Sequence, residues 1–321
     1  MTDIMEMDDE QYFKIPALSK SQVKNWDPYN PMGFWLQSAF NPKKAAEEFG
    51  DYLVLGKLNH MLLFQPELYA YHFEVNDELG KSRINKKWQI AQNASKKLLI
   101  STEELEQTKK MMIALSRHEI VRKLISGGVV EKPFTWKDEA WKIPCKMRLD
   151  YLKNTTEGIY VIDYKTMSKD MDINTRFIDK GGFQHDIGFY ARGIKAKYGQ
   201  PLKKFIFIFQ SMNEGEENMI RVKVVEGPQL EACEIATEQD VKQILPRLRA
   251  WEAANAIVCA EVDPEKAKAE QEAKETAMLK AWLPDVEAEA WEVSPWFDRE
   301  IAESINKGEI ANATENNEAG N

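Results

Sequence analysis

Residues 146–166 read KMRLDYLKNTTEGIYVIDYKT, a pattern that predicts two β-strands joined by a polar turn. Side chains along a strand alternate between the two faces of its sheet. The second half, GIYVIDYKT, therefore places Asp163 and Lys165 together on one face, at the end of the strand. Their face also carries Ile159 and Val161, whereas the opposite face carries Tyr160, Ile162 and Tyr164.

The polar segment KNTTEG predicts the turn between these strands, and its glycine suits a hairpin connection. If residues 153–158 form the loop symmetrically, Asp150 lies opposite Val161, and Asp163 is its diagonal neighbour on the same face. Diagonal neighbours across a strand pair are about 7–8 Å apart at Cα. The sequence therefore predicts that the two carboxylates lie close together, with Lys165 beside them.

Two carboxylates and a lysine at one strand end suit the hydrolysis of a phosphodiester bond. The carboxylates can bind one Mg²⁺ at roughly 2.0–2.1 Å per oxygen. Such a metal activates water and takes up charge on the phosphate, and a nearby lysine orients or deprotonates that water or neutralises the transition state. An isolated Asp-x-Lys triplet is more often a solvated strand edge. Asp150 and the hairpin geometry favour the catalytic interpretation here.

The chain resembles the PD-(D/E)xK nuclease superfamily at these motifs. Within it, the chain is similar to the RecE-like exonucleases of phages and prophages, which are related to the RecB nuclease domain. The resemblance extends from about Leu18 to Glu226. Its more specific blocks are GKLNHMLLFQPE and EKPFTWKDEAWKIPCKMRLDYL, the second of which leads into YVIDYKT. The blocks ALSKSQVKNW and DIGFYARG support it.

The resemblance implies an α/β (α+β) fold with a PD-(D/E)xK restriction-endonuclease-like core. In this core, helices flank a central mixed sheet, and a helical C-terminal extension follows. We expect the nuclease domain to span residues 1–227. The extension, packed on the core, is expected over 228–305, where the composition favours helices. The polar residues 306–321 predict a disordered tail.

The resemblance also implies a metal site. His60, in the GxxxH block, would bind the metal together with Asp150, Asp163 and the backbone carbonyl of Tyr164. Lys165 would position the attacking water. The expected cofactor is Mg²⁺, for which Mn²⁺ would substitute. Considered alone, a histidine on a helix is more often hydrogen-bonded in the core or at the surface than a metal ligand.

Two further positions match supporting residues of the family. Glu131 precedes the hairpin, where it is either a supporting acid or a carboxylate at a strand edge. Tyr190 is expected near the scissile phosphate, although its apolar neighbours equally favour helix packing. Relatives carry Gln-x-x-x-Tyr on this helix. Here Asp186 stands four residues before Tyr190, and Gln184 is displaced by two.

The implied activity is that of a DNA exonuclease that digests one strand of linear duplex DNA from 5′ to 3′ and leaves a 3′ overhang for recombination. The resemblance implies a ring-like homo-oligomer, a trimer or tetramer, and a RecT-like single-strand annealing protein as partner. The protein would be encoded by a phage or prophage. Two alternatives remain open: an endonuclease on the same core, and a subunit that binds DNA ends with a vestigial site.

Composition is consistent with a protein that has no membrane partner. The 321 residues are 43% hydrophobic and 30% charged, and no apolar run approaches membrane-spanning length. The N-terminus, MTDIMEMDDE, is acidic, unlike a signal peptide, so we expect a soluble, cytoplasmic protein. Cys145, Cys233 and Cys259 lie far apart, which argues against a disulfide framework, a zinc ribbon or an iron-sulfur cluster.

Net charge is the main objection to a nucleic-acid partner, because it is −9 with a pI near 5.3. The segment 81–97, KSRINKKWQIAQNASKK, is nevertheless basic and contains no acidic residue. It predicts either a DNA-binding surface or a solvated basic loop. Its Trp88 could stack on a base or anchor the loop to the core. The candidate DNA-binding residues are Lys81, Arg83, Lys86, Lys87, Trp88, Lys96 and Lys97.

The remaining sequence predicts the order of secondary structure. A helix begins at Ser19 or Ser21, another includes His60, and a third begins with a capping box at Ser101 or Thr102 and closes at Gly127–Gly128. After the hairpin, a helix from DIGFYARG ends at Gly199, and the strands KKFIFIFQ and NMIRVKVVE follow. The aromatic residues near the C-terminus predict a cap packed on the core or a contact with a partner. They are Trp282, Trp291, Trp296 and Phe297.

Overall fold

A computed structural model of the chain describes residues 5–6, 9–44, 51–79, 83, 85–130, 133–167, 181–212, 220–257 and 264–283. The helices in these ranges are α1 (Asp9–Lys14), α2 (Lys20–Lys24), α3 (Pro31–Gln37), α4 (Asp51–Phe64), α5 (Tyr69–His72), α6 (Lys86–Ala94), α7 (Thr102–Arg117), α8 (Glu119–Leu124), α9 (Phe183–Tyr198), α10 (Pro228–Asn255) and α11 (Pro264–Lys280). The strands are β1 (Met5–Glu6), β2 (Phe73–Val75), β3 (Leu98–Ile100), β4 (Phe134–Lys137), β5 (Pro144–Met147), β6 (Tyr151–Thr155), β7 (Gly158–Met167), β8 (Leu202–Ser211) and β9 (Ile220–Glu226).

A mixed sheet with the order β6-β7-β8-β9 carries the hairpin motif. The strand β7 is antiparallel to β6 and parallel to β8, and β9 is antiparallel to β8. Parallel neighbours need a crossover connection, and α9 lies in the connection between β7 and β8. A second sheet contains β1, β4 and β5, and β2 pairs with β3. The predicted architecture, a mixed sheet flanked by helices, is confirmed.

The two faces of this sheet bury different sets of side chains, as the alternation in the sequence predicts. Ile159 and Val161 of β7 lie in the larger core, together with apolar residues of α9 and α10. Ile162 and Tyr164 lie in a second core with residues of α7 and α8. Asp163 falls on the first face, which α9 covers, so its carboxylate points toward helices and not toward open solvent.

The hairpin is tighter than the sequence analysis predicts. Thr155 already pairs with Gly158, so only two residues remain in the turn. Gly158 has a φ of 131°, a conformation that side chains with a Cβ rarely adopt. This tighter turn shifts the register, because Val161 pairs with Leu152 and Ile162 pairs with Tyr151. The predicted placement of Asp150 opposite Val161 is therefore wrong.

Some helix ends follow the predicted capping signals. Ser101 forms the predicted capping box at the start of α7. Contrary to the prediction, this helix does not continue to Gly127–Gly128, because the chain turns at His118, whose side chain accepts a hydrogen bond at the start of α8. Gly199, with a φ of 69°, ends α9 as predicted. No described helix has the length and hydropathy needed to cross a bilayer.

The C-terminal region is helical as far as it is described. Trp282, which follows α11, is fully buried and stacks on Trp35 with ring centroids 4.9 Å apart. This contact agrees with the predicted aromatic cap. Trp291, Trp296, Phe297 and the predicted tail over 306–321 lie outside the described residues. The proposed division of the chain after residue 227 stays a prediction.

Candidate functional site

A bend between two strands positions Asp150. The sequence predicted that KMRLDYL forms one strand. The structure divides it, because β5 pairs with β4 in one sheet and β6 pairs with β7 in the other. The chain bends between Met147 and Tyr151, which brings Asp150 to the end of the hairpin. Its Oδ2 accepts a hydrogen bond of 3.0 Å from the backbone N–H of Tyr164. The bend and this bond fix the carboxylate next to β7.

His60 reaches the same carboxylate from α4. Its Nδ1 lies 3.4 Å from Asp150 Oδ2. The ring also meets the Tyr164 ring edge-on, with centroids 5.3 Å apart, and about a third of the side chain is exposed. The structure thus brings His60 and Asp150 together, with Asp163 across the hairpin. The sequence analysis predicted all three as metal ligands; the structure shows the contact between His60 and Asp150, and their role as metal ligands stays a prediction.

Asp163 is completely buried between two lysines. The ammonium of Lys165 lies 2.5 Å from Oδ2, and that of Lys20 lies 3.4 Å from Oδ1. Lys165 was predicted at this position, whereas Lys20 was not. Since each lysine side chain is about three quarters buried, both ion pairs form in a largely water-excluded environment.

The pKa values of this cluster reflect mutual neutralisation. Burial alone would raise the pKa of Asp163, but the charges of Lys165 and then Lys20 outweigh it and lower the pKa from 3.8 to about 2. Burial would likewise lower the pKa of each lysine, yet the neighbouring carboxylates raise both above the ordinary value. Asp163 and both lysines are therefore charged at neutral pH.

Asp186 brings a third carboxylate to the site. Only 2% of it is exposed, and its Oδ2 lies 3.8 Å from the ammonium of Lys20, 3.8 Å from that of Lys24 and 4.0 Å from that of Lys165. Gln184, which the family pattern suggested as an alternative, instead has its amide 3.3 Å from the ring of the adjacent His185. Asp186 and Gln184 were the two candidates for the place of the Gln in the Gln-x-x-x-Tyr pattern. Of these, Asp186 is the one that contacts the lysines of the site.

Tyr190 lies in the core beneath the site, and its predicted place near a scissile phosphate stays a prediction. Its side chain is 1% exposed, and its hydroxyl donates a 2.7 Å hydrogen bond to the carbonyl of Arg148. The ring lies 4.5 Å from the ammonium of Lys20. Burial, followed by the charges of Asp163 and Asp150, raises the pKa of this phenol well above 10. Tyr190 therefore supports the bend and Lys20.

The proposed roles of Tyr164 and Glu131 stay predictions. The Tyr164 side chain is buried, and its hydroxyl donates to Gln210, which in turn donates to the carbonyl of Met111. These contacts fix β7 but do not test the proposed role of the Tyr164 carbonyl as a metal ligand. Glu131 lies outside the described residues.

The basic segment is less available to DNA than its composition suggests. Arg83 forms two hydrogen bonds with the Glu104 carboxylate, of 2.6 and 2.8 Å, and its side chain is 9% exposed. Trp88 is 2% exposed and packs against Leu99. Both side chains thus hold the segment to the core, which is the alternative given above for Trp88, and a role of Arg83 in binding phosphate stays a prediction.

The lysines of this segment remain candidates to different degrees. Lys86 and Lys96 are exposed. The ammonium of Lys87 donates to the carbonyl of Glu78, and that of Lys97 donates to the carbonyl of Ala70. Those bonds restrain two of the four positive charges without neutralising them. Lys81 lies outside the described residues.

The sequence analysis missed Lys20 and Lys24. Both lie on α2, which Ser19 caps as predicted, and the block that contains them was used only as support for the resemblance. Their spacing of four residues places both ammonium groups on one face of the helix. That spacing was the available signal. What the sequence could not supply is the packing of α2 against α9, which brings this face to Asp163 and Asp186.

The donor groups fit a divalent cation in their chemistry. His60, Asp150 and Asp163 offer an imidazole nitrogen and carboxylate oxygens, the types of ligand that Mg²⁺ and Mn²⁺ accept. In the described part of the chain, no three such side chains converge closely enough to enclose a metal. Both oxygens of Asp163 face ammonium groups instead, so at least one lysine contact must open for this carboxylate to bind a cation.

Comparison with known proteins agrees with the fold and the motif. The model of a PDDEXK-like domain of unknown function (DUF3799) matches residues 21–248. The chain therefore belongs to this family and is a member of the PD-(D/E)xK nuclease superfamily. Members of that superfamily typically use divalent metal ions. No curated protein sequence matches the chain significantly.

Two solved structures resemble the chain at low sequence identity. A protein of Eubacterium rectale with a provisional exonuclease assignment aligns with a TM-score of 0.54 at 15% identity, covering 75% of this chain and 86% of that chain. At this identity the likeness shows the fold alone. The structure of SSO0001 aligns with a TM-score of 0.27 at 12% identity, over 62% of this chain and 78% of that chain, and carries no argument.

Proposed function

We propose that this chain is a metal-dependent deoxyribonuclease that digests one strand of linear duplex DNA from its end. The observation that carries the proposal is the approach of His60 to Asp150, 3.4 Å apart, next to the last hairpin pair, Tyr151–Ile162, which Asp150 and Asp163 flank in the sequence. Lys165 completes the set, 2.5 Å from Asp163. Membership of the PD-(D/E)xK superfamily supports the same reaction class.

The residues divide the work of phosphodiester hydrolysis between them. His60, Asp150 and Asp163 would hold the cation, which we propose is Mg²⁺, with Mn²⁺ as a substitute. When bound, such an ion activates water and accepts charge from the phosphate oxygens. Lys165, released from part of its contact with Asp163, would orient the attacking water or neutralise charge on the transition state. The Tyr164 N–H keeps the Asp150 carboxylate in position.

The intact set of charged residues favours an enzyme over a DNA-binding subunit with a vestigial site. A vestigial site has no physical requirement to retain buried carboxylates, which are costly unless they are paired. Asp163 and Asp186 are both nearly fully buried beside lysines. The cost of burying these groups is understandable if the site performs a reaction.

The finer features of the proposal come from the resemblance to RecE-like exonucleases. They are digestion from 5′ to 3′, a 3′ overhang for recombination, a ring-like trimer or tetramer, and a RecT-like annealing protein as partner. A phage or prophage origin and action in the bacterial cytoplasm belong to the same proposal. The provisional exonuclease assignment of the Eubacterium rectale protein, which shares the fold, is in line with the choice of an exonuclease.

One assay distinguishes the candidate functions. Linear and covalently closed circular duplex DNA of the same sequence are incubated with the protein and Mg²⁺, Mn²⁺ or EDTA. We expect metal-dependent loss of the linear DNA only, with 5′-labelled ends releasing small products first. Cleavage of the circle would identify an endonuclease. Binding without cleavage of either substrate in both metals would contradict the proposal of an enzyme.

A further inference from the structure

Three ammonium groups surround a single oxygen atom of Asp186. The distances from Oδ2 are 3.8 Å to Lys20, 3.8 Å to Lys24 and 4.0 Å to Lys165. All three exceed the length of a charge-assisted hydrogen bond, about 2.7–2.9 Å. The three positive charges therefore face a common centre that a carboxylate oxygen fills only loosely.

The carboxylate at this centre is itself poorly satisfied. Asp186 is 2% exposed, and its Oδ1 has no hydrogen-bond partner among the described residues. Buried carboxylate oxygens in stable proteins are normally hydrogen-bonded, because an unmet acceptor costs free energy. A structural ion pair would be expected to close these contacts. The loose packing instead indicates that Asp186 balances the charge of the lysines but does not fill the space between them.

Lys24 is held in a defined position at the outer side of this space. Its stem passes over Gly182, where a Cβ atom would lie 2.8 Å from Lys24 Cγ, and its ammonium lies 4.2 Å from the centre of the Phe183 ring. The side chain is 29% exposed. Burial lowers the pKa of Lys24; Asp186 opposes this effect, while Lys165 and Lys20 add to it.

We propose that Lys20, Lys24 and Lys165 form a phosphate-binding triad, and that Asp186 is its internal counter-anion, which a phosphate group of the bound DNA strand replaces. This inference rests on the proposed function, because it assumes a nucleic-acid substrate. Three ammonium groups that converge from separate positions match the several oxygens of a phosphate better than one carboxylate oxygen. Because Lys20 and Lys165 also contact Asp163, the phosphate would lie next to the proposed metal ligands.

The alternative is that the lysines only neutralise buried carboxylates. The two interpretations predict opposite effects for Asp186→Asn. If Asp186 competes with phosphate, its neutralisation removes the competitor and strengthens binding of DNA. If Asp186 is a structural partner of the lysines, its neutralisation leaves them less ordered and binding is unchanged or weaker. For Lys24→Gln, the triad predicts weaker binding, and a structural role predicts no specific change.

The test measures binding of the full chain to a short duplex by fluorescence anisotropy, in EDTA and over a series of salt concentrations. The duplex has 5′-hydroxyl ends, so that it contains only diester phosphates. The matched control is Lys203→Gln, which removes an exposed charge at the start of β8, far along the sheet from Asp163. Thermal melting verifies that each variant is folded.

We expect Lys24→Gln to weaken binding about fivefold to tenfold and to reduce the slope of log affinity against log salt by about 0.9, the value for one phosphate contact. Asp186→Asn should tighten binding several-fold, and Lys203→Gln should stay within about twofold of the wild type. A Lys24→Gln variant that behaves like Lys203→Gln overturns the proposal. So does a folded Asp186→Asn variant without tighter binding. If Asp186→Asn does not fold, the salt slope of Lys24→Gln decides.

Failure of this inference can be distinguished from failure of the proposed function. Binding in EDTA requires no catalysis, whereas the cleavage assay uses the wild-type chain with metal. A chain that cleaves linear DNA, but whose Lys24→Gln variant keeps its affinity and salt slope, is a nuclease without this triad. A chain that shows the expected binding changes but never cleaves keeps the triad and loses the assignment as an enzyme.

Discussion

Replacement of Asp163 by asparagine should reduce stability as well as activity. Asp163→Asn keeps the shape of the side chain but removes the charge that Lys20 and Lys165 share, 3.4 and 2.5 Å away. Removing one partner of a buried ion pair costs about 3–5 kcal/mol. The lysines are 22% and 25% exposed, so water recovers part of that cost, and we expect about 3 kcal/mol. A carboxylate at the end of an exposed strand would contribute far less.

The pKa of Asp163 gives a second measure of the same interaction. Folding lowers this pKa from 3.8 to about 2, which corresponds to about 2 kcal/mol at about 1.4 kcal/mol per pH unit. Because the folded pKa is the lower one, the folded state binds fewer protons at this group. The contribution is therefore present above pH 3.8 and is lost as the pH falls through about 2. Both routes give an effect of similar size.

Thermal melting in EDTA measures the change in stability. At roughly 2 °C per kcal/mol for a chain of this size, Tm should fall by about 6 °C in Asp163→Asn. The control is Glu119→Gln, which removes an ion pair whose partners are 68% and 71% exposed, and which should lower Tm by less than about 2 °C.

A second arm of the experiment tests the metal. A saturating metal, at about 100 times its Kd, stabilises a protein by about 2.7 kcal/mol, so Mn²⁺ should raise the Tm of the wild type by about 5 °C. Asp163→Asn should lose this increase and all metal-dependent cleavage of linear DNA. A variant that melts with the wild type in EDTA would refute the reasoning about burial. A variant that still cleaves would refute the assignment of Asp163.

Three further predictions concern single roles in the site. Lys165→Ala should lower the cleavage rate by about 10²–10³-fold and keep the increase of Tm with Mn²⁺; loss of that increase would show that the lysine is needed to form the metal site. His60→Ala should weaken Mn²⁺ binding at least about tenfold by calorimetry, and equal affinity would make it a packing residue only. Neutralising Lys86 and Lys87 together should reduce the slope of log affinity for DNA against log salt by up to about two. The reduction should be nearer one if the contact of Lys87 with Glu78 persists. An unchanged slope would mean that DNA binds elsewhere on the protein.

The parts of the site that follow local rules could be predicted from the sequence. Alternation along β7 correctly separated Ile159 and Val161 from Ile162 and Tyr164, because a strand has only two faces. The register could not be predicted, since it depends on the number of residues in the turn, and KNTTEG allows several closures. The observed two-residue turn pairs Tyr151 with Ile162, so Asp150 and Asp163 both flank the last pair of the hairpin.

The parts that depend on tertiary packing could not be predicted. Nothing in the sequence around Lys20 indicates that α2 lies against α9, 160 residues later in the chain. Similarly, the sequence marks Trp88 as an aromatic residue among lysines, which suits DNA. Its burial follows from the position of Arg83, whose guanidinium lies 5.0 Å from the Trp88 ring and binds Glu104. The composition gives the number of charged residues, but it does not show which of them form ion pairs with each other.

The same reasoning removes the objection raised by the net charge of −9. At the site, Asp150, Asp163 and Asp186 are matched by Lys20, Lys24 and Lys165, so these groups are formally neutral together. A divalent cation bound there would add two positive charges to a balanced, mostly buried cluster. Buried charges are screened far less than surface charges, so this local excess outweighs acidic groups elsewhere on the surface at physiological salt. An acidic protein can therefore attract a phosphate at the proposed site.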